Sequence, residues 1–581
     1  MNQIYPSIPP HSPHATHRRS LASRCRTLCC LMALLPSLLM AHIPAKDKNG
    51  NKAIFTVTTY DKSGKQLNSG YGFFLNETGI GLAPYYFFEG ASKAEVTDYK
   101  GKKWAVQRIQ GASDMYDMIK FTTTCEKSES YRLATEPATE GSKVTRFISD
   151  GKEGLTTIQA DVTASKKYDN LTYYTLASKA DNASTGTPVL NAAGEVVGVM
   201  QRSSEKELTK CFAADIAVEK FLTTSAISAG LASLNNIYIP KQLPADTLQA
   251  SSYLYLLSKN SQDTLSYLTA INDFKEAFPD LSTAYVEHAL FCAAGQKYDE
   301  AEKEYEEAFK AVKDQADVHY NLSKLIYRLN MYTNYEVYKD WKLEKALDEA
   351  NKAYETSPLP IYQLQVGDCQ YALKQYENAF NTYQAINQTS FASAQTLYYA
   401  SKAREMWDND STTVLALLDS ALARFPQPYH SDAGPYILHR AKTLYKFGRY
   451  RDSALDFDTY EKLIGTRNLN DNFFYMKEQA DLAAGLFPWA LDDIDKALSI
   501  RPKEYLYVVE KAVIQLRVGS TDEAIYQAEQ ALKLNPEGAD AYKVLGIAYG
   551  QNDNKEESLK YLKKAKELGD PQVDEWIEKL Q

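Results

Sequence analysis

The sequence predicts an all-β domain followed by an all-α solenoid, and three observations carry that expectation. Between residues 50 and 225, short apolar/polar alternations recur at 53–60, 70–75, 104–109, 118–122, 144–148 and 171–176, separated by glycine turns. Alternation with period two buries one face of a strand, and short strands at this spacing make a barrel or a sandwich. From about residue 250 the period becomes helical. There Ala490, Ala524 and Ser558 are spaced by 34, as are Ala497, Ala531 and Ala565, and Pro502 and Pro536 keep the same spacing. A helix-turn-helix unit of that length needs small residues where its helices approach and a proline where the second helix stops. The third observation is length: 581 residues suit several folding units better than one core.

Taken in chain order, residues 1–45 read as a signal peptide with an N-terminal extension. Arg18, Arg19, Arg24 and Arg26 precede the apolar run LCCLMALLPSLLMA at 28–41. That run is too short for a membrane span and is interrupted at Pro36, with cleavage expected after Ala41 or Ala45. No later segment reaches spanning length, so the mature chain is expected to have no transmembrane segment. Residues 46–224 form the β domain, in which Thr187 opens TPVLNAAGEVVGVM, two strands around a turn at Ala192, Ala193 and Gly194. Residues 225–249, with Pro240 and Pro244, are a linker, and residues 250–581 are the solenoid.

Composition excludes some functions. A formal net charge of −9 gives no broad electrostatic footprint for nucleic acid or anionic lipid. The seven cysteines, Cys25, Cys29, Cys30, Cys125, Cys211, Cys292 and Cys369, have no zinc-type pairing, so neither a metal nor another cofactor is expected. Cys125 and Cys211 could bridge in an oxidising compartment; isolated buried thiols are the preferred reading.

The last repeat, ADAYKVLGIAYGQNDNKEESLKYLKKAKELGDP, places Tyr542, Leu545, Gly546, Tyr549, Ser558, Leu562 and Ala565 at positions that resemble the tetratricopeptide repeat signature. Looser copies upstream carry Ala301, Tyr305 and Ala308, then Gly367, Ala379 and Tyr383, giving about eight repeats with an insertion near 332–342. The resemblance implies a superhelix whose concave face binds a protein or peptide ligand.

In the β domain, GIGLAPYYFFEGA (79–91), DMYDMIKF (114–121), ASTGTPVLNAAGEVVGVM (183–200) and CFAADIAVEKFL (211–222) stand in the order of the trypsin-like peptidases, and are similar in texture to the HtrA-type branch. The resemblance implies a double β-barrel. Carried over position by position, it puts Tyr86 where the catalytic histidine stands, Asp117 at the acid, Thr185 at the serine, and Ala183 at the glycine whose N–H helps bind the oxyanion. A hydroxyl is a weak nucleophile unless a base accepts its proton, and tyrosine, with an ordinary pKa of about 10, is a poor base at neutral pH. The histidines are His11, His14, His17, His42, His288, His319, His430 and His439, so the β domain contains none.

Blander readings stand beside these. Asp117 reads as a retained structural acid bonded to nearby backbone, Tyr86 as filler of the vacated histidine space, and Thr185 as a turn residue. The tyrosines beyond residue 250 serve mainly inter-helix packing. The sequence therefore implies a pseudo-protease domain with no intact catalytic residues, joined to a binding solenoid. The combination resembles secreted proteins of the Bacteroidetes, which implies the periplasm, the outer membrane or secretion. The alternative is a serine-type endopeptidase with non-standard catalytic residues and a substrate-presenting solenoid.

Overall fold

The computed structural model describes residues 51–149, 154–168, 171–203, 209–259, 264–332 and 336–580. The expected signal segment lies outside the described residues. Twelve strands form two closed antiparallel barrels. The first contains β1 (Ile54–Tyr60), β2 (Gln66–Phe74), β3 (Ile80–Ala83), β4 (Lys93–Thr97), β5 (Lys103–Ser113) and β6 (Met118–Thr123), in the order β1-β2-β3-β6-β5-β4. The second contains β7 (Lys143–Ser149), β8 (Leu155–Tyr168), β9 (Leu171–Ala177), β10 (Pro188–Leu190), β11 (Val196–Met200) and β12 (Cys211–Asp215). Its order, β7-β8-β9-β12-β11-β10, repeats that of the first.

Alternation along β1 explains how one strand serves two cores. Phe55 and Val57 point into the first barrel with Phe74, Val96, Ile109 and Phe121. Ile54 instead joins Phe73, Leu82 and Met118 against Phe147, Leu190 and Val199 of the second barrel. The barrels are thus held by a shared apolar seam, and the loops above that seam form the candidate site. Cys125 and Cys211 are separate buried thiols, as are Cys292 and Cys369.

Residues 225–249 pack on the first barrel. Leu234, Ile237 and Ile239 are buried in the first barrel's core. Ile109 donates its N–H to the Pro240 carbonyl at 2.9 Å and accepts from Gln242 at 2.7 Å, a short parallel pairing on β5. The Arg108 guanidinium makes a two-point pair with Asp273 of the helical array, at 3.0 and 2.9 Å.

After a first pair of helices, Thr247–Ser258 and Thr264–Ala277, the described residues contain eight further pairs beginning at Thr283 and ending at Glu567, with a closing helix Asp574–Leu580. Ala301, Ala346, Ala379, Ala454, Ala490, Ala524 and Ser558 are all fully buried where partner helices cross. Ser453 and Ser558 each donate a hydroxyl to a carbonyl of the facing helix, Ala441 and Gly546, at 2.7 Å. Pro502 and Pro536 lie two residues beyond the helix ends at Ile500 and Leu534. In the insertion Trp341 is buried against Tyr298 and Tyr338, which anchors the longer connection. None of the helices among the described residues is long and apolar enough to cross a membrane.

Candidate functional site

The site is assembled from three loops at the seam. The first follows β3: Pro84 has an extended backbone, and Tyr85–Phe87 then form a single 3₁₀ turn. Tyr85, Phe87 and Phe88 are buried, which leaves Tyr86 half-buried and facing the seam. The Tyr86 ring packs on Phe87 at 4.4 Å, and the Arg202 guanidinium lies 4.8 Å from its centroid. Burial raises the Tyr86 phenol above its ordinary range; the Asp117 charge adds to that and Arg202 opposes it. The phenol is therefore protonated at neutral pH and serves as a donor or filler, not a base.

The second loop is the turn before β6, where Asp117 has φ +48°, a left-handed conformation that aspartate tolerates better than most residues. Its Oδ1 accepts the Tyr86 backbone N–H at 2.9 Å. In an active trypsin-like site the acid orients an imidazole; here it holds the turn that carries Tyr86. Burial pushes the Asp117 carboxyl up to about 6, against the opposing Tyr86 amide and Arg202, with Glu89 adding to the rise.

That shift has a sign. Between the ordinary aspartate range and about 6, folded Asp117 holds a proton that the unfolded chain has lost, so stability is highest below this window and falls as pH rises through it. Asp117→Asn keeps an oxygen for the Tyr86 N–H and removes the charge. The first barrel is expected to gain about 1–2 kcal/mol at pH 8, after allowing for solvent screening, and nothing beyond its baseline at pH 4. Local opening energies from hydrogen exchange at the two pH values check this; equal gains at both would remove the buried carboxylate as the cause.

The third loop precedes β10. Asp181 organises it by accepting Ala183 N–H at 3.1 Å with Oδ1 and Ser149 N–H at 2.9 Å with Oδ2. The Ser184 hydroxyl donates to the Asp181 carbonyl at 2.9 Å, Thr185 to Asn182 at 2.9 Å, and Thr187 to Ser184 at 2.7 Å. The Thr185 N–H is also used internally, on the Asn182 carbonyl at 3.3 Å. Thr185 is 2 % exposed. Gly186 has φ +88°, and a Cβ there would fall 2.1 Å from the Tyr71 carbonyl oxygen and 2.6 Å from the Pro84 ring. That close approach brings the third loop against the first.

The structure thus brings Tyr86 and Asp117 into direct contact and sets the 183–187 loop beside Pro84. An oxyanion site needs N–H groups aimed at the reacting oxygen, whereas those of Ala183 and Thr185 are bonded within their own turn. Two participants escape the sequence reading. Asp181 precedes a tight turn, and that capping pattern could have pointed to it. Arg202 meets Tyr86 across 116 positions, and no local signal predicts that. Groups of three or more histidine, cysteine or acidic side chains able to hold a metal ion are absent among the described residues.

Comparison with known proteins adds the following. The tetratricopeptide repeat family model matches residues 509–572. No curated protein matches the chain. Among solved structures, a serine endoprotease from Yersinia pestis is similar at 17% identity, with 29% of this chain and 61% of that chain covered and a TM-score of 0.26. The Rv3671c protease from M. tuberculosis, in its active form, is similar at 15% identity, covering 30% of this chain and 83% of that one, with a TM-score of 0.27. The chain joins two closed six-stranded barrels of the same strand order to a helical array that carries the tetratricopeptide match.

Proposed function

We propose that this chain is an exported, non-catalytic protein-binding scaffold. The helical array binds a protein or peptide partner on its concave face, and the barrel pair supplies a second docking surface. The observation that supports this most is the internal use of the groups that acyl transfer requires. The Thr185 hydroxyl and N–H go to Asn182, the Ala183 N–H goes to Asp181, and Asp117 holds a backbone amide. Tyr86 stands at the base position as a neutral phenol. Hydrolysis would require the third loop to unwind and a base to be supplied from elsewhere. Export to the periplasm, the outer membrane or beyond is part of the proposal and rests on the basic and apolar residues within 18–41.

Fluorophosphonate labelling and peptide-hydrolysis assays test the reading on the mature chain and on Thr185→Ala, with an active trypsin-like protease as control. Both forms are expected to be silent. Covalent labelling mapped to Thr185 or Ser184, with turnover, would establish the endopeptidase alternative instead.

A further inference from the structure

Three successive first helices of the array, Gln315–Tyr332, Pro360–Ala372 and Ala394–Trp407, line a cavity of about 290 Å³ together with Tyr383 of the helix Tyr376–Asn387. Its walls include Tyr327, Tyr371, Tyr383 and Tyr399, with Asp368 and Lys402 as the charged members. Tyr383 is buried between helices as Tyr305 is, whereas Tyr327, Tyr371 and Tyr399 are only partly buried and face the cavity. The Tyr383 hydroxyl donates to Asp368 Oδ1 at 2.8 Å. Gly367 makes that reach possible, because a Cβ there would meet the Tyr383 ring at 2.6 Å.

Asp368 pairs with no lysine or arginine among the described residues. Lys402 places its ammonium over the Tyr371 and Tyr398 rings, 5.4 and 5.7 Å from their centroids. Burial raises the Asp368 carboxyl to about 6, which still leaves it mainly ionised at neutral pH. The cavity therefore combines a desolvated negative charge with phenol rings, and the faces of such rings also attract cations. An anionic guest that neared Lys402 would also meet the Asp368 carboxylate in the same wall. An aliphatic one would desolvate the carboxylate and offer it no hydrogen bond in return. A planar guanidinium stacks on aromatic faces and donates to a carboxylate at the same time.

We propose that this cavity takes an arginine side chain of a peptide segment presented by a partner protein; the assignment rests on the reading of the array as protein-binding.

The test uses the mature full-length chain on an array of random-sequence peptides, followed by titration of the strongest binders and their Arg→citrulline forms. Arginine is expected to be enriched among the binders, and citrulline to weaken them by about tenfold or more. Asp368→Asn, which keeps an acceptor for Tyr383, is expected to do the same, and Tyr371→Leu provides a second, uncharged probe of the wall. Lys402→Met is expected to keep or strengthen binding. Binders indifferent to arginine and to Asp368→Asn would overturn the assignment and leave the binding role of the array standing. Loss of binding in Lys402→Met would also overturn it, by pointing to an anionic guest. An array without any binder would overturn both.

Discussion

Replacing Lys477 with methionine is expected to destabilise the helical array by about 3–5 kcal/mol, the range for a buried charge pair broken on one side. Lys477 is 4 % exposed and donates to Glu461 at 2.8 Å and to Asp493 at 3.1 Å. It ties the second helix of one pair, Tyr450–Ile464, to both helices of the next, Asp471–Ala483 and Phe487–Ile500. Burial works against its charge, but Asp493 and Glu461 outweigh that and raise its pKa. Methionine fills the stem's space, so the loss reads as charge and not as cavity. Lys496, which also reaches Glu461 and Asp493 at 3.1 and 3.0 Å, holds the effect toward the lower end. Urea unfolding followed by helical circular dichroism measures it. Adding Asp493→Asn should restore part of the loss, because less uncompensated negative charge then stays buried. A single variant within about 1 kcal/mol of the parent would mean that solvent reaches the cluster.

One residue further on, Glu478→Gln is expected to remove a large share of the array's pH dependence. Glu478 occupies a slot that is small in four other pairs. Twelve residues before the buried Ala301, Ala379, Ala524 and Ser558 stand Ala289, Gly367, Ala512 and Gly546, and before Ala490 stands Glu478. It is fully buried, its Oε2 accepts from Gln479 at 2.8 Å, and its Oε1 has no hydrogen-bond partner among the described residues. Burial pushes its carboxyl up to about 8; Glu510 and Asp493 add to the rise and Gln479 opposes it. Between the ordinary glutamate range and about 8 the folded state keeps a proton that the unfolded chain has released. Stability is therefore fully present at low pH and declines as pH climbs through that window, by about 3–5 kcal/mol in total from this group. Asp481, facing Asp493, is likewise raised, first by burial and then by Asp493, and is untouched by the substitution. The slope of stability against pH in the variant should thus fall without vanishing. Urea melts at pH 5, 7 and 9 decide the matter, and parallel curves for parent and variant would exclude Glu478 as a titrating group.

Both experiments concern one joint of the array, and the joint bears on the proposed binding role. A solenoid presents a continuous surface only while successive pairs stay in register, because each unit buries its apolar face on its neighbours alone. Weakening the Lys477 cluster would split the surface into segments on either side of residues 450–500.

What the sequence determined by itself are the features set by local chemistry. Period-two alternation marks the strands, and the 34-residue spacing of Ala490, Ala524 and Ser558 marks the helix pairs, since each pattern records which face of an element is buried. The absence of histidine between residues 43 and 287 rules out a histidine from within the β domain without any coordinates. Tertiary structure alone decided the rest. That Asp117 binds the Tyr86 N–H, that Arg202 covers the Tyr86 ring, and that four tyrosines from three successive helix pairs close around Asp368 all depend on which loops and helices meet. A side chain's sequence position fixes the face it occupies on its own element. Its partners are fixed by packing between elements far apart in the chain, where burial and neighbouring charge then set its chemistry.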